Sequence, residues 1–172
     1  MPWSACRGKC ALNASTGDLL AQIMTESLTF LMGKFPAVLP GDLRYARNHM
    51  WCRPADGVLC FGFTSYAVRL MQDVYFLDWE FSDSTVVKAK QQIGHIETSK
   101  ATSDLFAPIA GTILRFNAEL LKDPSGINVD NYGKGWLFEM HGSEADTMGV
   151  QEYHDFLAAN WEKTQNMLKG HM

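Results

Sequence analysis

The chain is predicted to be mostly β, a sandwich or barrel of small sheets with an N-terminal helical extension and a C-terminal helix. Three observations predict this. Short runs rich in β-branched and aromatic residues are punctuated by Gly and Pro. Two of these runs flank a polar turn with a lysine at its tip, in Ile96-Glu97-Thr98-Ser99-Lys100-Ala101-Thr102-Ser103-Asp104. The C-terminal segment instead carries apolar residues at helical spacing.

The elements follow in chain order. Residues 1–42 form an N-terminal extension. Over 17–32, Leu19, Leu20, Ile23, Met24, Ser27, Leu28 and Leu31 fall at near-helical spacing, with Asp18 as a cap and Gly33 as a stop. This helix is expected to pack on the main domain or to dock a partner. Pro36, Pro40 and Gly41 then read as a linker.

Residues 43–141 form the strand-rich domain. Strands are expected over 57–63 and 74–79, with Thr64 capping a short helix over 65–71 between them. Residues 93–97 and 105–107 flank the lysine turn, and 111–116 is the next strand. Gly111, three residues after Pro108, reads as a turn position with little room for a side chain. Asp123-Pro124-Ser125-Gly126 is a loop signal. Residues 142–172 carry the C-terminal helix, expected over 149–169, with Val150, Tyr153, Leu157, Trp161 and Leu168 along one face.

Composition narrows the function. A chain of 172 residues suffices for one domain with its own core plus extensions. With 47% hydrophobic and 20% charged residues it reads as an ordinary soluble protein. A net charge of -4 provides no basic footprint, which argues against nucleic acid as a partner. The best apolar run, 28–39, is broken by Lys34 and Pro36, so no membrane-spanning helix is expected. Arg7 and Lys9 near the start have a faint transit-like character, but no cleavable signal follows, and the cytoplasm is the expected compartment. Cys6-x-x-x-Cys10 lacks a second pair at zinc spacing, so no metal site is expected. Cys52 and Cys60 lie in or near expected strands, where a thiol packs as a small apolar group. Either could be imagined with His49 as a nucleophile–base pair, but spacing in sequence does not set geometry.

Lys100 is the sharpest candidate. A lysine at a hairpin tip has no packing duty and lies within reach of a modifying enzyme, although most such lysines only solvate the surface. Its surroundings change the odds. Glu97-Thr98-Ser99-Lys100-Ala101-Thr102-Ser103-Asp104 resembles the lipoyl-attachment segment of the glycine cleavage system H-protein family, which is typically written Glu-Ser-Val-Lys-Ala-x-Ser-Asp. Ala107-Pro108-Ile109-Ala110-Gly111 is similar to that family's Pro-Val-Ser-Gly turn. Asn117, Ile127-Asn128 and Tyr132-Gly133-Lys134-Gly135-Trp136-Leu137 look like its later landmarks. Upstream, Tyr45-Ala46 with His49-Met50-Trp51 resembles its Tyr-x-x-x-His-Glu-Trp start, and Gly62-Phe63-Thr64-Ser65-Tyr66-Ala67 its Gly-Ile-Thr-x-x-Ala segment. Gln151-Glu152-Tyr153 resembles its terminal helix, so the resemblance spans about residues 43–160. Biotin carriers typically place Met on both sides of the lysine, and lipoyl domains of 2-oxoacid dehydrogenases place Asp before it; here the flanks are Ser99 and Ala101.

The resemblance implies a barrel-sandwich hybrid of the lipoyl/biotinyl-domain type. It implies a non-catalytic carrier with lipoate covalently attached to Lys100 by a lipoylating enzyme. The arm would shuttle an aminomethyl intermediate of glycine decarboxylation. Its partners would be a pyridoxal-phosphate glycine decarboxylase, a tetrahydrofolate aminomethyltransferase and dihydrolipoyl dehydrogenase. Glu97 and Asp104 become candidates for recognition and arm contacts, and His49 and Met50 for the arm's surroundings. The family normally has Glu where Met50 stands, and that Glu helps hold the cationic arm. A methionine cannot pair with an ammonium, and a charge-assisted hydrogen bond is worth roughly 1.5–3 kcal/mol. Asn131 stands where the family usually has Pro, and Trp79-Glu80-Phe81-Ser82-Asp83 replaces its Leu-Pro-x-x-Gly. These departures keep two further readings open. One is an H-like lipoate-binding protein carrying sulfur intermediates for a heterodisulfide-reductase-like sulfur-oxidation complex. The other is an unmodified interaction scaffold.

Overall fold

The structure, a computed structural model, describes residues 26–170. Among the described residues eleven strands and four α-helices follow in order. The strands are β1 (Leu28–Met32), β2 (Phe35–Leu39), β3 (Arg44–Tyr45), β4 (Met50–Ala55), β5 (Val58–Phe63), β6 (Val74–Trp79), β7 (Thr85–Val87), β8 (Gln92–Thr98), β9 (Thr102–Phe106), β10 (Gly111–Phe116) and β11 (Trp136–Gly142). The helices are α1 (Ser65–Met71), α2 (Ala118–Lys122), α3 (Gly126–Val129) and α4 (Val150–Lys169). A six-stranded sheet runs β3-β4-β5-β11-β10-β7, a three-stranded sheet runs β6-β8-β9, and β1 and β2 pair alone.

The six-stranded sheet is buried on both faces. Cys52, Phe61 and Phe138 on one face meet Leu77, Ile93, Ile96 and Leu105 of the three-stranded sheet in the main core. Trp51, Cys60 and Trp136 on the other face join a second core with Phe30, Leu39, Tyr66, Tyr153 and Leu157. A strand covered on both sides reads as a continuous apolar run, and this is the character of Val58-Leu59-Cys60-Phe61-Gly62-Phe63. The turn before it is Asp56-Gly57, with φ of 51 and 77, the two left-handed residues that a type I′ hairpin requires. Gly62 leaves room for Trp51: a Cβ there would lie 2.5 Å from the indole ring. The indole Nε1 donates to the Asn131 carbonyl at 2.8 Å, and Asn131 Nδ2 donates to the Phe63 carbonyl at 3.0 Å. A proline would keep the carbonyl but could not supply the Nδ2 link from loop to strand.

The helix expected over 17–32 is not what residues 28–32 form. Those residues are β1, hairpinned to β2, while 17–25 lie outside the described residues. Phe30, Met32, Ala37 and Leu39 alternate inward, so a period of two overrides the near-helical spacing. Gly33 with φ of 66 serves as a hairpin turn residue rather than a helix stop. Pro36, expected in a linker, lies inside β2; a two-stranded sheet is all edge, where a missing N–H can face away from the ladder. The hairpin is anchored to the rest of the fold. Phe30 meets the rings of Tyr66 and Trp161 edge-on at 5.8 and 5.6 Å. Tyr132 Oη donates to the Val38 carbonyl at 2.6 Å, and the Arg69 guanidinium sits 3.4 Å from the Phe35 ring centroid.

Candidate functional site

Lys100 stands in the turn between β8 and β9 and is exposed. The turn is organised by Thr98, which is 6% exposed. Its Oγ1 accepts from the Lys100 and Ala101 amides at 3.2 and 3.3 Å and donates to the Ala101 carbonyl at 3.2 Å. The Ser99 amide donates to the Asp73 carbonyl at 3.1 Å, tying the tip to the segment that enters β6. The lysine backbone is thus fixed from below while its ammonium reaches into solvent. A Ser or Thr hydroxyl bonding amides two and three residues ahead is a known turn device, and Thr98 was legible on that ground.

Two neighbouring depressions adjoin this turn. Lys100 lines an open cleft of about 580 Å3 with Leu70, Met71, Thr98 and the α4 residues Met167 and Leu168. A smaller inner cavity of about 190 Å3 is walled by Asn48, His49, Met50, Ala67, Ser103 and Asp104. Leu70, Met71 and Ser103 belong to both. The structure therefore brings His49, Met50 and Asp104 together and sets Lys100 next door. Glu97 shares the outward face of the hairpin with Asp104 but stands nearer the turn, opposite Phe76 on one strand and Thr102 on the other, and does not line the inner cavity.

Met50 is 1% exposed and offers only a thioether to the inner cavity. Asp104 is exposed and accepts from Gln92 Nε2 at 3.1 Å. Asn48 contributes a polar atom: its Oδ1 is buried and has no hydrogen-bond partner among the described residues, while its Nδ2 donates to the Phe106 carbonyl at 3.1 Å. His49 is held rather than free. Its Nδ1 lies 3.0 Å from Tyr153 Oη, and burial pulls its pKa down from 6.5 to about 4, so the ring is neutral near pH 7.

The imagined cysteine–histidine pair finds no support at Cys52. That residue is wholly buried, and burial pushes its thiol up to about 12, which leaves almost no thiolate. Cys60 is buried too, and Cys6 and Cys10 lie outside the described residues. Among the described residues no group of three His, Cys, Asp or Glu side chains could hold a metal ion, and no helix is long and apolar enough to cross a membrane.

Two short antiparallel sheets packed face to face, with one exposed lysine on a pinned turn between consecutive strands, define a carrier domain of the barrel-sandwich hybrid class. The family model for the glycine cleavage H-protein matches residues 43–162, and the chain belongs to that family. Named relatives agree. A glycine cleavage system H protein of Myxococcus xanthus is 38% identical over 106 residues, covering 62% of this chain and 81% of the relative. Another, of Carboxydothermus hydrogenoformans, is 33% identical over 130 residues, covering 73% of this chain and 99% of the relative. A crystal structure of the H protein from Mycobacterium marinum superposes with a TM-score of 0.60 at 31% identity, over 71% of this chain and 98% of that one.

Proposed function

We propose that this chain is the lipoyl carrier of a glycine cleavage system, with lipoate joined to the Nζ of Lys100 as an amide. The observation that carries this is the exposed Lys100 on the Thr98-pinned turn, inside the region that matches the family. The same reading makes the chain a non-catalytic subunit in the cytoplasm. Its partners are the lipoylating enzyme, the glycine decarboxylase, the aminomethyltransferase and the dihydrolipoyl dehydrogenase. The names of the relatives favour glycine cleavage over the sulfur-carrier reading.

The residues present fit a lipoyl group. Amide formation removes the lysine charge, and the adjoining cleft is walled largely by apolar side chains. When attached, the dithiolane supplies the redox and group-carrying chemistry. The chain supplies placement. Thr98 fixes the root of the arm. Asn48 Oδ1 offers a buried acceptor on the inner wall, and Asp104 a carboxylate at the same cavity. Asp104 is the carboxylate open to a cationic cargo there, in place of the one that Met50 does not provide, and Asn48 Oδ1 would need a side-chain rotation to join it. Glu97, nearer the turn on the same face of the hairpin, is the acid we assign to recognition by the lipoylating enzyme.

The test is intact and peptide mass after co-expression with a lipoate ligase. The lipoyl increment is expected on the peptide containing Lys100 and is lost in Lys100→Arg, and the modified protein should support exchange of the glycine carboxyl catalysed by the decarboxylase. Modification at a different lysine, or none at all, would sink the proposal.

A further inference from the structure

We propose that the last turns of α4 form an outer wall against which the arm carried by Lys100 rests, a reading that stands on the carrier function above. The family match ends at residue 162, but α4 continues to Lys169. These added turns are held in place. Tyr66 Oη donates to Thr164 Oγ1 at 3.4 Å. Just before them, Trp161 packs edge-on against Phe30 at 5.6 Å and Tyr66 at 6.2 Å. Phe30 belongs to the β1–β2 hairpin, which also lies outside the matched region. Two additions to the shared domain thus buttress each other, and the outcome is a helix end that overhangs the lysine turn.

Across the cleft from that helix end lie Leu70 and Met71 of α1 and Thr98, Lys100 and Ala101 of the hairpin. The volume of about 580 Å3 falls in the range of small-molecule sites, about 300–1,000 Å3. The occupant follows from the wall itself. Lys100 lines the cleft, so any group on its amine begins at its rim and meets the opposite wall at high effective concentration. Leu70, Met71, Met167 and Leu168 suit an uncharged, apolar arm and offer nothing to a bare ammonium. The apolar side chains of the wall therefore favour the modified lysine over the unmodified one, beside the hydroxyls of Ser103 and Thr164 on the same lining. Met167 is 58% exposed, an apolar surface that a resting arm would cover.

The experiment compares the lipoylated full chain with the lipoylated Met167→Gln/Leu168→Gln variant, whose new residues are neutral helix formers. Both are reduced and treated with an uncharged maleimide, and alkylation of the dihydrolipoyl thiols is followed by peptide mass. The variant should react about four- to fifteenfold faster, the factor that corresponds to losing one or two methylene-sized apolar contacts. Equal rates overturn the wall, whether the arm then lies in the inner cavity, in solvent, or displaced by a partner segment. If the double variant melts lower, Met167→Gln alone decides, because an exposed site leaves the fold unchanged. If neither protein accepts lipoate, the carrier reading fails and the wall falls with it; lipoylation with equal rates rejects the wall alone.

Discussion

The Oη of Tyr153 lies 3.0 Å from Nδ1 of His49 and 3.1 Å from Oγ1 of Thr64, so one residue of the C-terminal helix closes the turn that carries the inner cavity wall. Thr64 completes the arrangement by donating to the His49 carbonyl at 3.1 Å and capping α1 through the Ala67 amide at 3.2 Å. The strand entering at Met50, the helix after Thr64 and α4 are thereby joined through a single phenol. Removing that hydroxyl in Tyr153→Phe leaves the ring stacked on Tyr45 at 4.6 Å but takes the partner from His49 Nδ1 and one of three from Thr64 Oγ1. The expected loss is about 1–2 kcal/mol, or roughly 2–8 °C in Tm, read by calorimetry. An unchanged Tm would mean the hydroxyl contributes nothing.

His49 makes stability depend on pH. Burial holds its folded pKa near 4, whereas the unfolded chain takes up the proton near 6.5. Between these values the unfolded state binds more protons, so stability present at pH 7 is lost as pH falls from about 6.5 to about 4. The full shift corresponds to roughly 3 kcal/mol. His49 has φ of 67, a conformation Asn tolerates well, so His49→Asn keeps the turn and deletes the titration. Urea unfolding at pH 7 and pH 4.5 should show a clearly smaller loss in the variant. Parallel losses in both proteins would assign the acid sensitivity to other groups.

Thr98 is expected to set the order of the lysine turn. Thr98→Val keeps the shape and removes the acceptor for the Lys100 and Ala101 amides. Hydrogen exchange at those two amides should accelerate about tenfold, equivalent to roughly 1.4 kcal/mol of lost local protection, with slower lipoylation. Thr98→Ser should restore both. Unchanged exchange in the valine variant would show that the hairpin backbone holds the tip unaided.

Gly111 is constrained by contact rather than by handedness, since its φ of 159 is close to extended. A Cβ there would overlap the His141 carbonyl oxygen, a backbone atom in the paired strand β11. Gly111→Ala should cost at least about 2–3 kcal/mol in chemical unfolding. Gly149→Ala is the control: its Cβ would meet nothing within 4 Å, and a change of under about 1 kcal/mol is expected.

The β1–β2 hairpin is expected to be part of the folded unit. Phe30 is 6% exposed and makes edge contacts with Tyr66, Trp161 and His154. Phe30→Ala should cost about 3–5 kcal/mol by urea unfolding. A loss below about 1 kcal/mol would detach the hairpin from the core of the domain.

Local order was legible along the chain wherever its cause is local. β6 spans Val74–Trp79 as its β-branched and aromatic run predicts, and α1 spans Ser65–Met71 behind its Thr64 cap. The lysine turn shows itself through two apolar runs and a polar tip, and the face of α4 through Tyr153 and Leu157. Turn chemistry, capping and helical periodicity act over a few residues, so a sequence displays them directly.

What only the tertiary structure decided is which distant residues share a surface. Residues 28–32 satisfy two periodicities at once, and the choice of strand over helix rests on Tyr66 and Trp161, far along the chain, which receive Phe30. Glu97 and Asp104 look equivalent in the motif and share a face of the hairpin, yet only Asp104, on the edge strand β9, is among the residues that line the inner cavity. The burial that neutralises His49, the orphaned oxygen of Asn48 and the overhang of Met167 and Leu168 above Lys100 all arise from packing between segments remote in sequence. Burial and electrostatics depend on separation in space, and separation in space is settled when the sheets close and α4 docks across them.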